Sequence, residues 1–586
     1  MSINAAAHIA LSSLLTTQVQ MTVASANIAN AGTQGYTEKT AKQASVVTGG
    51  AGAGVTITGI SSTVDKLLLR SLMTATSDLG SADTKNTYLD QLQQLYGSTN
   101  GNDGSGTSLG NSLAALEAAV TALSATPDNA SLQAGVVTAL DAVAAQLRST
   151  SSGIQALRSN ADQQIASTVS DVNSQLQLIG TLNLQITQAA ASGQPTGDLE
   201  DQRAQALQDI ASKMDVSYFT NANGALQVYT TSGQALVDAA VHTISYTPAA
   251  NVTAATAYSP TPPSGFSGIM VNGVDVTQQI KSGSIAALVN VRDTALPNAQ
   301  AQLDQLATTL ADSLNAVSNQ GTALPPPSSL TGTAAVSLTT PLSSPGGTVR
   351  FAEVDSQGNL VSYQDLSLSG MATVGDLVTA INGIPGLSAS LDSEGHLVVA
   401  STDSGDGVAI NEMSGSIGGQ GVSDFFGLND LVTATGASDF AVRSGVLNNP
   451  ALFPASTLDP SATLTTGSLV LPPASATMVN NLSSLLVGQT DFPAVGGLGT
   501  SRLSFANYAA SIVSNIATQS ATATSNFNAK QTAQQAFSSA MSSQSGVNID
   551  EETARISTLQ NQYAASAQLL QVLNQMFSTL LTTVQS

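Results

Sequence analysis

The side chains that most often carry catalysis or bind metals are few in this sequence and lie far apart. The three histidines, His8, His242 and His396, fall in separate segments, and no two of them have the spacing of metal ligands. None lies close to a nucleophile motif of the kind that hydrolases use. The sequence has no cysteine, which excludes disulfides, thiolate chemistry and cysteine-ligated metals.

One acidic group resembles an ion-binding loop. Asp403, Asp406 and Glu412 follow one another closely, as the ligands of a calcium loop do. However, Gly405 and Gly407 stand where the EF-hand pattern requires oxygen ligands. The remaining acids are scattered, so a hydrolase with paired carboxylates has no support from the sequence.

Two glycine-rich segments also fall short of known binding loops. Residues 100–106 (NGNDGSG) resemble half of a calcium-binding glycine–aspartate repeat, but a single half-repeat makes a poor site and a hairpin tip is the simpler interpretation. The glycines of residues 49–54 lack the spacing of a dinucleotide fingerprint and do not open a helix. We therefore predict no catalytic residue, no cofactor and no metal.

The charge balance excludes several classes of partner. The 586 residues include 38 acids and 16 bases, which gives a net charge of −22 although only 9% of residues are charged. Such a chain has no electrostatic basis for binding nucleic acid or an anionic membrane. It also lacks both a run of 18 apolar residues and a Sec-type signal. Composition alone therefore predicts a cytosolic protein whose neutral polar surface suits packing against copies of itself.

The C-terminal segment has the pattern of a long amphipathic helix. From residue 556 its apolar residues alternate steps of three and four, the heptad spacing of helices that pack against other helices. Ser566 interrupts the row once. We predict that the row lies between subunits and call it the C-terminal seam: Ile556, Leu559, Tyr563, Leu570, Leu573, Phe577, Leu580 and Val584.

The N-terminal segment repeats this rhythm from Ile3 to Ile28, so the two ends of the chain are candidate partners. Two independent amphipathic core helices would show the same spacing. The sequence after the first helix, ANIANAGTQGYT at residues 26–37, distinguishes these alternatives. In it, Asn30 suits a left-handed helix end and Gly35 allows a sharp bend.

This segment resembles the N-terminal signature of the flagellar rod, hook and hook-associated axial proteins. The signature is Ala-Asn-x-x-Asn followed by Thr-x-Gly-Tyr, and its matching residues, called here the axial motif, are Asn27, Asn30, Thr33, Gly35 and Tyr36. Residues 198–216 (DLEDQRAQALQDIASKMDV) and 545–552 (SGVNIDEE) resemble motifs of hook-associated proteins. A predicted helix–hairpin unit at 373–402 resembles the motif named after its Ile-Asn pair, which is inserted in flagellins and hook-associated proteins.

The resemblance implies a structural role rather than catalysis. It implies an adaptor at the hook–filament junction of the bacterial flagellum that polymerises through its terminal helices. The implied partners are copies of the chain itself, the hook protein, a second junction protein (hook-associated protein 3) and a cytoplasmic export chaperone that holds the C-terminal segment. Axial proteins leave through the flagellar export apparatus without a cleaved signal, so the resemblance replaces the cytosolic prediction with an extracellular one.

The predicted fold is α+β and multidomain, with long terminal helices forming a coiled-coil-like core and β-rich domains inserted between them. The triple proline at 325–327 marks the start of the insertion. The expected division is a terminal axial domain of residues 1–62 and 503–586, a helical and β middle domain of residues 63–324 and 441–502, and a β-rich outer domain of residues 325–440.

Two local predictions concern the middle domain. The apolar periodicity predicts separate helices over residues 130–147 and 150–191. Arg203 could be mistaken for an active-site cation. With Asp201 and Glu200 beside it and no acid–base partner, we expect it to form a structural ion pair.

Two alternative functions remain open at this level. A hook or distal-rod protein would share the axial motif but is not expected to carry the segment 198–216. A secreted enzyme or adhesin that uses flagellar-type termini as an export tag would have its activity in residues 325–500.

Overall fold

The computed structural model describes residues 3–48, 50–97 and 108–585. The glycine–aspartate segment 100–106 lies outside the described residues, as does Gly49 of the glycine cluster. Within them, long helices come from both ends and from the middle of the chain, and small antiparallel sheets occupy the intervals. The predicted α+β fold with long terminal helices is confirmed.

The two ends of the chain pack against each other. Their elements are α1 (Ile3–Asn30), a hairpin of β1 (Lys39–Thr48) and β2 (Ala51–Ser62), α12 (Phe505–Ser545) and α13 (Ile549–Gln585). α1 and α13 run antiparallel: Ser13 Oγ lies 3.0 Å from Ser566 Oγ, and beyond the other end of α1 the Glu38 N–H donates to Ser545 O at 2.8 Å. The hairpin lies against α1, where the Val55 N–H donates to a serine of that helix at 3.2 Å. Each end of the chain therefore supplies a helical partner for the other.

A bundle of helices forms the body of the molecule: α2 (Lys66–Leu95), α3 (Leu109–Ala125), α4 (Ala130–Ala191), α5 (Gly197–Lys213), α6 (Gly283–Asn290), α7 (Leu296–Ser318) and α11 (Ala476–Val487). The side chains of Asp65 and Asn129 accept hydrogen bonds from the first free N–H groups of α2 and α4, which favours the start of each helix at that point. The apolar stripe of α4 is buried in the core of this body. The first half of α12, predicted to belong to the terminal domain, joins the same core through Phe505, Tyr508 and Ile512.

The predicted break in α4 is wrong. The helix runs unbroken for 62 residues, a length of about 90 Å. Thr150 and Ser151, at the expected boundary, are buried: Thr150 Oγ1 donates to Gln146 O at 2.9 Å and Ser151 Oγ to Gln300 Oε1 at 3.1 Å. Because both hydroxyls are satisfied inside the bundle, these residues do not end the helix. By length and composition α4 could cross a membrane, but here its apolar stripe covers the core.

Two small antiparallel sheets connect α5 to α6. Their strands, in sheet order, are β3 (Val216–Thr220), β4 (Leu226–Thr230) and β5 (Ala235–Val237), then β6 (Ile244–Ser245), β7 (Met270–Val271) and β8 (Val274–Asp275). The ion pair predicted for Arg203 is not formed among the described residues. Its guanidinium instead donates to Asn183 Oδ1 at 2.9 Å and to Gly224 O at 2.8 Å, which ties the β3–β4 turn to α4 and α5.

A short π-helical turn (Val291–Ala295) joins α6 to α7 and buries Arg292 completely. Arg292 Nη1 donates to Asp162 Oδ1 at 2.9 Å, and Nη2 donates to Asp293 Oδ2 at 2.8 Å. The guanidinium carbon lies 4.3 Å from the ring centroid of Phe266. No sequence pattern predicts the pair with Asp162, because 130 residues separate the two partners.

A separate β-rich unit follows the triple proline. Its elements are β9 (Ser329–Ala335), β10 (Thr348–Asp355), β11 (Leu360–Ser367), α8 (Val374–Ile381), β12 (Leu387–Leu391), β13 (His396–Ser401), β14 (Asp406–Asn411) and α9 (Val422–Phe426). They form two three-stranded sheets, β11-β10-β14 and β12-β13-β9, around an apolar core of their own that includes Phe351, Leu377 and Leu397. α8 and the β12–β13 hairpin agree with the predicted helix–hairpin unit.

The chain then returns to the helical body through β15 (Val432–Thr433), β16 (Ala441–Val442), α10 (Ser444–Asn448), a 3-10 turn (Pro450–Leu452), α11, β17 (Thr490–Phe492) and β18 (Ser501–Leu503). Leu431 and Phe440 already belong to the core of the helical body. The chain therefore passes from the core of the β-rich unit to that of the helical body before the expected boundary at residue 440. Leu458, Val470 and Leu471 pack back against the strands of the β-rich unit. The inserted unit thus draws residues from both sides of that boundary.

Candidate assembly site at the joint of the terminal helices

Asn27 is the centre of the chain reversal at the end of α1. Its side chain is fully buried. Oδ1 accepts from Tyr36 OH at 2.9 Å and from the Lys39 N–H at 3.0 Å, while Nδ2 donates to Lys39 O at 2.9 Å. The amide therefore pairs with both backbone groups of the first residue of β1, a combination that requires one donor and one acceptor on the same side chain. This residue fixes the angle at which the chain leaves α1.

Asn30, Thr33 and Gly35 shape the turn between α1 and β1. Asn30 Nδ2 donates to Ala26 O at 3.0 Å, and its Oδ1 accepts from Thr33 Oγ1 at 3.2 Å. Gly35 has φ +80, and a Cβ at this position would lie 3.0 Å from Gln205 Oε1 of α5. Both the left-handed backbone and the close approach favour glycine. The turn therefore brings the end of α1 against α5.

A buried ion pair joins the turn to α5. Lys39 Nζ pairs with Asp201, and the two side chains are only 6% and 12% exposed. The Asp201 carboxylate also accepts from the Thr37 N–H at 2.9 Å and from Thr37 Oγ1 at 2.8 Å. The segment 198–216, singled out in the sequence, is thus tied directly to Thr37 and Lys39, which follow the axial motif. Neither Lys39 nor Asp201 was predicted as a site residue, although a lysine three positions after Tyr36, in a chain with few bases, is a signal that could have found it.

Tyr36 packs between these groups. Lys39 Nζ lies 4.4 Å from the centroid of its ring. Burial, with the negative charges of Asp198, Asp201 and Glu552 adding to it, raises the pKa of Tyr36 to about 12. The hydroxyl therefore keeps its proton and remains the donor to Asn27 at any physiological pH.

Glu38, Glu552 and Arg555 join the turn to the start of α13. Arg555 Nη1 lies 3.5 Å from Glu38 Oε1 and 3.4 Å from Glu552 Oε1. Glu552, in the segment 545–552, is 2% exposed. Burial, followed by the charge of Glu552, raises the pKa of Glu38. One arginine thus holds two carboxyl groups where α12 ends and α13 begins.

The axial motif and the three residues that follow Tyr36 therefore meet both of the other segments singled out in the sequence. The five motif residues form the turn itself, residues 198–216 contribute Asp201 and Gln205, and residues 545–552 contribute Ser545 and Glu552. A groove of about 490 Å³ opens between the turn, α4 and α5. The contacts are hydrogen bonds and ion pairs that set chain direction, and the described residues at this joint show no nucleophile–base arrangement.

The C-terminal seam lies along α13, and its cover by the rest of the chain decreases towards the end of the helix. Leu559 is buried, and Ile556, Leu570 and Leu573 are partly buried. Tyr563, between Leu559 and Leu570, is 37% exposed, and the last three residues of the seam are exposed further: Phe577 by 47%, Leu580 by 53% and Val584 by 77%. The outer part of this apolar face therefore remains uncovered by the described residues of the same chain.

The three acids that resemble an ion-binding loop in the sequence, Asp403, Asp406 and Glu412, do not lie together in the structure. Glu412 accepts from the N–H groups of Val422 and Ser423 at 2.7 and 2.6 Å and so caps α9. Asp403 and Asp406 instead lie near Glu353, with one carboxylate oxygen of each within 4.8 Å of the others. Ser401 Oγ donates to Glu353 at 2.7 Å, so part of this carboxylate is already satisfied within the fold.

Three family models match the chain in separate segments. Residues 69–330 match the helical domain of the flagellar hook-associated protein FlgK, residues 351–403 the flagellin hook IN motif, and residues 532–583 the C-terminal region of the flagellar basal body rod proteins FlgEFG. The match over 351–403 overlaps the helix–hairpin unit of the β-rich insertion, and the match over 532–583 overlaps the C-terminal seam. The resemblance to flagellar hook-associated proteins is confirmed.

The fold is also similar to a solved structure, that of the flagellar hook junction protein FlgK from Burkholderia pseudomallei. The two share 16% sequence identity with a TM-score of 0.50, and the match covers 80% of this chain and 99% of that one. No curated protein matches the sequence significantly. The family matches support a structural role among the hook-associated components of the bacterial flagellum, with self-assembly and contacts to other hook components.

Proposed function

We propose that this chain is a hook-associated protein 1, the adaptor that joins the hook to the filament, and that it polymerises through its terminal helices. The observation that carries the proposal is the joint around Asn27: residues 198–216 and 545–552, distant in the sequence, both meet the chain directly after the axial motif, at the point where α13 begins. The match to the FlgK helical domain over 69–330 favours this function over that of a hook or rod protein.

The exposed part of the C-terminal seam supports assembly with other copies. Phe577, Leu580 and Val584 are each about half exposed or more, and Leu569, Val572 and Met576 of the adjacent columns are 50–52% exposed. Burying one such side chain contributes about 1.5–3 kcal/mol. Because most of these side chains are already about half covered, burying the rest gains roughly half of that amount per residue, which offsets part of the entropy cost of ordering the helix end. We propose that neighbouring copies, the hook protein and hook-associated protein 3 cover this face in the assembled flagellum.

The same segment is the proposed binding site of the cytoplasmic export chaperone. Before secretion, an exposed apolar helix favours self-association in the cytoplasm, and a dedicated chaperone that covers residues 549–585 would prevent it. The protein then passes through the flagellar export apparatus to the hook–filament junction outside the cell. The β-rich unit beyond the triple proline is proposed to face outward, since its separate core does not depend on the terminal helices.

Localisation by electron microscopy tests this function directly. Since the chain has no cysteine, a single Glu394→Cys substitution in the exposed β12–β13 turn gives one attachment point for a gold label. In cells that lack their own copy, we expect label confined to the hook–filament junction. Label distributed along the filament, or absent from isolated flagella, would contradict the proposal.

A further inference from the structure

Three of the seven lysines in the sequence line one pocket on the helical body. The pocket has a volume of about 320 Å³ and lies where α2, α12 and the turn before α6 meet. Lys85 comes from α2, Lys530 from α12 and Lys281 from the turn, and Asp78 is the one acid in the lining. We call this site the lysine pocket.

The lysine pocket keeps an excess of positive charge. Lys530 Nζ pairs with Asp78 Oδ2 at 2.7 Å, and Ser282 Oγ donates to the other oxygen of the same carboxylate at 3.1 Å. Lys281 Nζ donates to Gln278 O at 2.6 Å, a neutral carbonyl. Lys85 forms no ion pair among the residues that the structure describes. Three ammonium groups thus face one carboxylate, which leaves two positive charges uncompensated.

Few arginines are available to a partner. Four of them are buried, namely Arg158, Arg203, Arg292 and Arg350, and Arg502 and Arg555 pair with acids of their own chain. Lys39 is also unavailable to a partner, because it forms a buried ion pair with Asp201. The lysine pocket therefore brings together three lysines, two of them without an acidic partner among the described residues, in a chain whose net charge is −22.

An assembly of such acidic chains requires local charge compensation. Copies of net charge −22 repel one another as they approach, unless basic groups of one copy lie against acidic groups of the next. We propose that the lysine pocket binds exposed carboxylates of a neighbouring copy of this chain. The contact joins two different surfaces of the same protein, so it is head-to-tail and suits a helical or ring-shaped array. It rests on the self-assembly in the proposed function, and it places a second, electrostatic contact on the body, distinct from the apolar contact of α13.

A pair of charge-reversal variants with equal net charge tests the proposal. The pocket variant carries Lys85→Glu and Lys281→Glu, while Lys530 is kept because it pairs with Asp78. The control variant carries Lys66→Glu and Arg70→Glu, which lie exposed on the first turns of the same helix α2 and outside the pocket. Each full-length variant replaces the native copy in cells, and hook ends carrying the protein are counted by microscopy. Thermal unfolding of each purified monomer verifies that both fold.

We expect the pocket variant to occupy about tenfold fewer hook ends than the control. In assemblies of wild-type protein made from isotopically light and heavy copies, carbodiimide coupling should join Lys85 or Lys281 to a carboxylate of a different copy. Equal occupancy of hook ends by the two variants, or coupling of these lysines only within one copy, would contradict the proposed contact of the lysine pocket with a neighbouring copy. Either result would leave the proposed function intact. If the wild-type chain itself is absent from hook ends, that result contradicts the proposed function, on which the lysine-pocket contact rests.

Discussion

Tyr36 donates its hydroxyl hydrogen bond to the side chain of Asn27 at 2.9 Å, and this bond closes the chain reversal between α1 and β1. The same Asn27 oxygen accepts the Lys39 N–H at 3.0 Å. Two residues of the axial motif are therefore partners rather than independent surface groups.

Replacing Asn27 should loosen the joint more than removing the Tyr36 hydroxyl. Asn27→Ala leaves the Lys39 N–H and C=O without their side-chain partner, and each buried group left unpaired costs about 1–3 kcal/mol. Tyr36→Phe removes a single hydrogen bond and should cost about 1 kcal/mol. Hydrogen exchange of the Lys39 amide measures the local effect. Exchange equally slow in Asn27→Ala and in the wild type would contradict this account of the turn.

The pair of Lys39 and Asp201 should show strong coupling. Lys39→Met alone leaves a buried carboxylate without its cation, which costs about 3–5 kcal/mol. The double variant Lys39→Met/Asp201→Leu removes both charges and should recover most of that loss. Denaturant unfolding of the two single variants and the double variant gives the coupling energy. Simple additivity of the two single effects would show that the pair does not hold α5 to the turn.

The joint should become weaker as the pH rises. The folded-state pKa of Glu38 is raised, first by burial and then by the charge of Glu552, so the folded joint binds a proton more tightly than the unfolded chain does. Its contribution to stability is complete below the ordinary glutamate pKa and is lost as the pH rises through the raised value. Hydrogen exchange at residues 545–552 between about pH 4 and pH 7 should show this loss in the wild type. The Glu38→Gln variant should show much less of it, and an unchanged pH dependence in that variant would assign the effect to another group.

Leu573→Asp should prevent assembly without unfolding the monomer. Leu573 is only partly buried in the single chain, and the core of the helical body does not include it. In an interface, an unpaired carboxylate costs several kcal/mol. Cells with this variant should release filament protein into the medium, whereas Leu573→Met should assemble normally because its volume is similar. Normal filaments from the Asp variant, or loss of the whole monomer's melting transition, would show that this row is not an interface between subunits.

The β-rich unit should be removable if the cut follows the observed cores. Asn429 N–H donates to Asn319 Oδ1 at 2.9 Å, so a short Gly-Ser linker can join the chain on either side of the unit. A variant with residues 323–427 replaced by such a linker should keep the helical core and reach the hook. It should lose some stability because Leu458 and Val470 are then uncovered. Export without incorporation would place the unit in the assembly surface.

The sequence predicts helices and strands well where a single periodicity of apolar residues dominates a segment. The sequence predicts the helix–hairpin unit of residues 373–402, which α8, β12 and β13 form. The axial motif is recognisable from its resemblance to a family signature. Lys39, Asp201 and Arg555 were missed because their roles depend on partners that are distant in the chain or on burial that spacing does not show. Arg203 shows the opposite error, because the acids beside it in sequence have other partners: Asp201 pairs with Lys39 and Glu200 accepts from Thr196 Oγ1. The Arg203 guanidinium donates instead to Asn183 Oδ1 and Gly224 O.

The uninterrupted length of α4 has a mechanical consequence. A helix of about 90 Å with buried hydroxyls at its middle bends less under load than two shorter helices joined by a loop. Hydrogen bonds hold the two ends of α4 to different parts of the molecule. Near one end Asn183 Nδ2 donates to Leu226 O, and nearer the other end Arg148 donates to Phe440 O. In the proposed hook–filament junction, torque that enters one end of the body would reach the other along this single helix, with little of it lost in flexible connections between elements.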